Sequence, residues 1–285
     1  MPTTLSETAT FGASVAVPAT GEARTAASVQ TPFQELTNRS AWAKGAFNGL
    51  LLGGRLLYSD SSGSATDVFV GPIARLVLGS RVLSSASALE VPTPGGGLAA
   101  ETWYYVYAYD SSGTLAVEAS TTAPESSLTF KTGDTSRRYL GCFRTSTGSV
   151  VLPFRSVGGR FRYRSSWDNA SELQALLATT AAGAATDVIL ARGGTASKEL
   201  IPAHTRLAIV QSSLSTTGGE ATAHFLTKGD SALGTTVRQE HADGIQAQME
   251  FAIETDSART IQYTLALGGT GSLNLRVVGF DEAIA

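Results

Sequence analysis

Sulfur chemistry is almost absent from this sequence: across 285 residues Cys142 is the single cysteine, and there are two methionines. One thiol excludes an intrachain disulfide framework and any zinc site built on several cysteines, so the fold must hold by packing or by assembly. Charge is also sparse, at 16% of residues with a formal net charge of -3. That balance gives no broad cationic field to draw nucleic acid or an anionic membrane, and confines any such role to a local patch. No apolar run approaches a membrane span, that around Leu50 to Leu52 being far too short, and the opening MPTTLSETATFGASVAV lacks the basic start and continuous apolar stretch of a signal peptide. The expectation is a soluble protein made in a cytoplasm, without membrane insertion. Phosphate-cradling, zinc-protease, nucleophile-elbow and dinucleotide signatures are missing too, although a Gly- and Ser-rich chain should produce such matches by chance.

What the sequence does have is small polar residues, with 31 Ser, 34 Thr and 30 Gly, beside 42% hydrophobic residues that suffice for a core. Residues 1–30 are rich in Thr, Ser and Ala with few large apolar groups, and read as an extended attachment arm. In residues 31–54, Thr31 as N-cap, Pro32 at the first helical position and Gln34 three after the cap predict a helix from Thr31 to Leu51, stopped by Gly49, Gly53 and Gly54. Phe33, Leu36, Ser40, Ala43, Phe47 and Leu50 follow the spacing of a heptad seam, so this helix packs on its own domain or serves as an oligomerisation helix.

Beyond Tyr58 the pattern turns to β. Short apolar and β-branched runs are separated by SDSSGS, PTPGGG, DSSG, STGS, SVGG, STTGG and GGTGS, each a turn-forming cluster. This divides the chain into a β-rich connector (55–97), a middle β-domain with Arg-rich strands (98–170) and a C-terminal β-sandwich (171–285). WYYVYAYDSSGTLAVEAS is the strongest hairpin, with aromatics on both faces and hence a strand covered on both sides or offering one side to a partner. Asn169 with Glu172 could cap a helix through Leu177, yet Leu173, Ala175 and Leu177 also alternate as a strand does. From Asp187 onward, DVILA, TRLAIVQS, ATAHFLT, AQMEFAIET, RTIQYTLAL and SLNLRVVGF predict an antiparallel sandwich of jelly-roll type. The expected fold class is therefore mainly β: an arm, one short helix, then β-rich modules.

Candidate chemistry is thin. His204, His224 and His241, with Glu240 and Asp243 beside the last, lack the short spacing that fixes metal ligands on one element, and read as structural. The acids Asp60, Asp110, Asp134, Asp230, Asp243 and Asp256 fall in predicted turns, and suit turn formation better than a catalytic pair. Cys142, between large apolar residues in YLGCF, reads as a small buried strand residue. No catalytic residue, metal site or cofactor is expected. One charge asymmetry stands out: residues 137–164 hold Arg137, Arg138, Arg144, Arg155, Arg160, Arg162 and Arg164 and no acid, +7 against -10 elsewhere. They form either a solvated, acid-neutralised strand face or a docking face for an acidic protein surface, an anionic glycan or nucleic acid. Trp103, Tyr105, Tyr107 and Trp167 are candidates for stacking on sugars, core packing being the alternative.

ATFGASVAVPATGEARTAASVQTPFQELTNRSAW, with WYYVYAYDSSGTLAVEASTTAP and RRYLGCFRTSTGSVVLPFR, resembles structural proteins of tailed bacteriophages and prophages, of the tail-fibre, baseplate-appendage and head-decoration types. The stretch from PAHTRLAIVQSSLSTTGGEATAHF through RTIQYTLALGGTGSLNLRVVGF looks like the terminal domain of such proteins. The resemblance implies a non-enzymatic virion component synthesised in the host bacterial cytoplasm. Its partners would be its own copies, as a homotrimer, other virion proteins and a host surface glycan; nucleic acid is not among them. A capsid decoration or head-fibre protein, a carbohydrate-binding module and a glycan depolymerase are the alternatives.

Overall fold

The computed structural model describes residues 34, 36, 48–54, 56–59, 67–164, 177–179, 183–189, 200–228, 237–241 and 246–282. The arm at 1–30, Phe33, Ala43, Phe47, Trp167 and the Asn169 to Glu172 cap lie outside these residues. The described chain is mainly β. In order, its strands are β1 (Leu51–Gly53), β2 (Leu56–Ser59), β3 (Val68–Val70), β4 (Ile73–Leu78), β5 (Arg81–Ser85), β6 (Leu89–Val91), β7 (Trp103–Ser111) and β8 (Thr114–Ser120). There follow β9 (Phe130–Lys131), β10 (Asp134–Arg144), β11 (Phe154–Val157), β12 (Arg160–Tyr163), β13 (Leu177–Thr179) and β14 (Gly183–Ile189). The last are β15 (Leu207–Thr217), β16 (Ala221–Thr227), β17 (Val237–His241), β18 (Gln246–Glu254), β19 (Thr260–Leu267) and β20 (Thr270–Asp281).

At the N-terminal side the structure corrects the helix expected to reach Leu51. Gln34 and Leu36 are helical, but Asn48 and Gly49 form a turn and Leu51 opens β1. Gly49 donates to the Val77 carbonyl and Val77 to the Leu50 carbonyl, so sheet pairing has already replaced helical bonding at the last residue of the supposed seam. Leu36 is 52% exposed and Leu50 38%.

The last eight strands realise the expected sandwich. β13, β20, β15 and β18 lie side by side in one sheet, and β14, β19, β16 and β17 in the other, every pair antiparallel. Numbered within the unit these orders are 1-8-3-6 and 2-7-4-5, the double Greek key of a jelly roll. Alternation drives the closure: Leu273, Leu275 and Val277 are buried while Asn274 and Arg276 face outward. Across the gap Phe225 of β16 meets Phe251 of β18 with ring centroids 4.8 Å apart. Two corners cross backbone to backbone where the STTGG and GGTGS clusters meet. A side chain on Gly269 would stand 2.3 Å from the Thr217 carbonyl oxygen, so this crossing admits only glycine.

The jelly-roll sheet does not stop at β20. Past Phe280 it continues through β12, β11, β2, β3 and β6, giving a nine-stranded sheet that takes strands from the connector, middle and C-terminal stretches of the sequence. Its inner face carries stacked rings, Phe154 to Phe161 at 4.8 Å and Phe161 to Phe280 at 4.4 Å, and Phe143 of β10 stacks on Phe154 at 6.4 Å. Such pairs add about 0.5–1.5 kcal/mol each beyond the area they bury. The aromatic strand β7 lies in a separate four-stranded sheet, β8-β7-β10-β9, and is covered on both faces, as its composition suggests.

Candidate functional site

The arginines of residues 137–164 do not form one face. Arg138 and Arg144 are buried, their guanidiniums donating to backbone carbonyls, Arg138 to Thr129 and Arg144 to Thr145 and Glu101. Arg137 belongs to the four-stranded sheet, where it pairs with Glu118 at 3.2 Å and lies 4.2 Å over the Tyr109 ring. The expectation of a seven-arginine docking surface is therefore corrected. Burial of Arg138 and Arg144 and the place of Arg137 in the four-stranded sheet take three of its members away.

The remaining four share the outer face of the nine-stranded sheet. The alternation of β12 sends Phe161 and Tyr163 inward, 1% and 7% exposed, and leaves Arg160 and Arg162 on the other side, with Arg164 exposed just beyond the strand. Cross-strand register places Arg162 opposite Arg155, Arg155 opposite Tyr58, and Tyr58 opposite Phe69, whose rings stack at 5.5 Å. On the flank toward β15 and β18, Arg162 donates to Glu250 and Arg276 to Gln211 around a shallow cavity. The hydrogen bond from Arg162 holds the Glu250 carboxyl below the usual carboxylate range. Arg160 lies 3.8 Å from Asp281. Arg155 and Arg164 are exposed. The result is a row of cations beside an aromatic pair, suited to an anionic partner.

The proposed sugar-stacking residues sit elsewhere. Tyr105 and Tyr107 are 6% and 0% exposed, packed on Tyr139, and cannot offer a ring face to a glycan. Burial also pushes the Tyr107 phenol far above its ordinary range, and its hydroxyl donates to the Thr122 carbonyl. Trp103 packs edge-on against Phe280 at 5.7 Å. Two partly exposed aromatics beside the arginine row, Tyr58 and Phe69, were not among the residues expected to stack on sugars. Their signal was one aromatic in each of two short apolar runs, LLYS and VFV.

A second constellation lies inside. Glu282, the residue after β20, is buried, and its Oε1 accepts from the Tyr139 hydroxyl at 2.7 Å and Cys142 Sγ at 3.2 Å, and pairs with His204 Nε2 at 2.7 Å. Tyr139 and Cys142 share a face only because β10 carries a bulge: Tyr139 pairs with Tyr107, Gly141 with Val106 and Cys142 with Tyr105. Gly141, at φ 153°, supplies the backbone freedom. Burial, reinforced by the Glu282 carboxylate, pushes the Cys142 thiol well above its ordinary range. That shift disfavours the thiolate form that nucleophilic attack requires. Cys142, His204 and Glu282 are also the described residues whose ligand atoms could share one metal ion.

These features define an all-antiparallel β protein that ends in a jelly roll sharing a sheet with an arginine-bearing hairpin. No known protein family and no curated protein matches the chain. Among the described residues no helix is long and apolar enough to cross a membrane.

Proposed function

We propose that the chain is a non-enzymatic structural subunit of a tailed-phage virion. In this reading it is a tail-fibre or appendage protein that joins the particle through its N-terminal region, assembles as a homotrimer, and meets host surface or neighbouring virion proteins through its β-domains. The observation that carries this reading is the jelly-roll strand order, an architecture recurrent in viral capsid and lectin domains. The step from architecture to role is an analogy of fold, supported by the resemblance of the sequence motifs. A capsid decoration or head-fibre protein would use the same parts at another station. Deleting residues 1–30 tests the assignment: the truncated protein should remain a folded trimer by light scattering yet no longer enter particles, while immunogold labelling distinguishes head from tail. Incorporation of the truncated chain would overturn the role given to the arm.

One observation favours glycan contact as a second reading. The row Phe69, Tyr58, Arg155 and Arg162 puts an apolar ring pair beside cations on an outer sheet face. A glycan array comparing the wild type with Tyr58→Ala tests it, equal binding by both removing that row from consideration. Release of reducing ends from host envelope fractions would instead identify a depolymerase.

A further inference from the structure

Three side chains of the types that hold transition metals converge at one buried point, from β10, the segment leading into β15, and the residue after β20. We propose that Cys142, His204 and Glu282 bind a single divalent transition-metal ion of zinc type, with Tyr139 positioning the carboxylate. Their ligand atoms lie within 4.8 Å of one another, and Glu282 Oε1 is 3.2 Å from Sγ and 2.7 Å from Nε2. Thiolate, imidazole and carboxylate together are a donor set for zinc or its neighbours; calcium and magnesium take oxygen ligands.

Three further observations converge on the same point. The bulge at Gly141 turns Cys142 toward Glu282, where an unbroken strand would send it to the opposite face, and bulges recur where a side chain must be re-aimed. Charge balance fits as well. Binding with loss of the thiol proton to solvent would set one thiolate and one carboxylate against the two charges of a divalent ion, while a neutral imidazole adds a third bond. Finally, the His204 ring is held from one side only. The tautomer that donates from Nε2 rests on the Glu282 contact, and among the described residues Nδ1 is buried without a hydrogen-bond partner, so an ion taking the place of that contact meets an Nε2 lone pair once the proton moves to Nδ1.

Zinc stands about 2.0–2.3 Å from such ligands, so Nε2 and Oε1 must part by about half an ångström, while Sγ and Nε2, within 4.8 Å of each other, must come to about 3.5 Å. His204 is the least buried of the three, with 13% of its side chain exposed, and gives the ion a way in. The rings of Tyr105 and Tyr139, with centroids 5.7 Å and 6.0 Å from that of His204, wall the site and limit water.

The test uses the full chain, stripped with a chelator and titrated with Zn²⁺ and Co²⁺. One ion per chain is expected, with proton release, a rise in melting temperature and, for Co²⁺, thiolate-to-metal charge-transfer absorption. Cys142→Ser should abolish that absorption, His204→Ala should weaken binding at least about tenfold, and Tyr139→Phe should keep the ion with affinity lowered about tenfold. Stripped wild type that takes up no ion, or whose melting temperature ignores Zn²⁺, overturns the proposal without recourse to any variant. Cobalt bound without thiolate absorption would place the ion elsewhere and overturns it too. The result is independent of any role in a virion.

Discussion

Arg155 stands directly opposite Arg162 across the β11–β12 pairing, and of the two it is Arg162 that has a carboxylate against it, that of Glu250. Like charges facing each other across strands oppose the pairing that the backbone bonds favour. The hairpin holds because Phe161 and Phe154 beneath it are fully buried and stacked.

Relieving that opposition should stabilise the protein. Arg155→Thr is expected to raise unfolding free energy by about 0.2–1 kcal/mol, read from the urea midpoint at constant m-value. A lower midpoint would mean that the guanidinium contributes within the fold.

Glu250 supplies a pH signature on the same face. Its folded pKa is depressed by Arg162, so its contribution to stability is present above the ordinary carboxylate range and is lost as pH falls through the lower folded value. Both side chains are partly exposed, so the contribution stays below about 1 kcal/mol. Glu250→Gln should flatten that part of the stability profile, at and below the ordinary carboxylate range, and strengthen binding of anionic polymers at low salt. An unchanged profile would remove the pair from the stability account.

The buried cluster predicts a silent thiol. With its pKa raised and the side chain enclosed, Cys142 should resist thiol reagents in the native protein and react fully in denaturant. Glu282→Gln, which keeps the shape but weakens three hydrogen bonds, should cost about 1–3 kcal/mol in metal-free protein. Rapid labelling of the native chain would contradict the packing described.

The glycine corner makes the sharpest steric prediction. Gly269→Ala sets a methyl against the Thr217 carbonyl and should cost about 1–3 kcal/mol, seen as a lower melting temperature. Gly79→Ala, with open space around it but φ 57°, should cost less.

Much of the fold was legible because half-buried strands announce themselves by alternation. ATAHFLT coincides with β16, and SLNLRVVGF lies within β20. β17 was missed, since VRQEH has little apolar content to alternate. The helix end was misplaced because the stop glycines suit a sheet turn as well as a helix cap, and LLGG pairs with β4 once β4 is present. The arginine face was half legible. Alternation gave Arg160 and Arg162 their outward side, but burial of Arg138 and Arg144 depends on long-range packing that no local pattern encodes. The Glu282 cluster was illegible, its other members standing 78 to 143 residues from Glu282 in sequence and one of them re-aimed by a bulge.

That separation has a consequence in time. Glu282 is synthesised 140 residues after Cys142 and 143 after Tyr139, so a nascent chain carries an open, polar gap in an otherwise apolar interior while those residues are made. At about 5–20 residues per second the wait is roughly 7–30 seconds. The middle sheet cannot reach its final state until β20 and Glu282 have left the ribosome, which ties the interior around β10 to a residue made long after it.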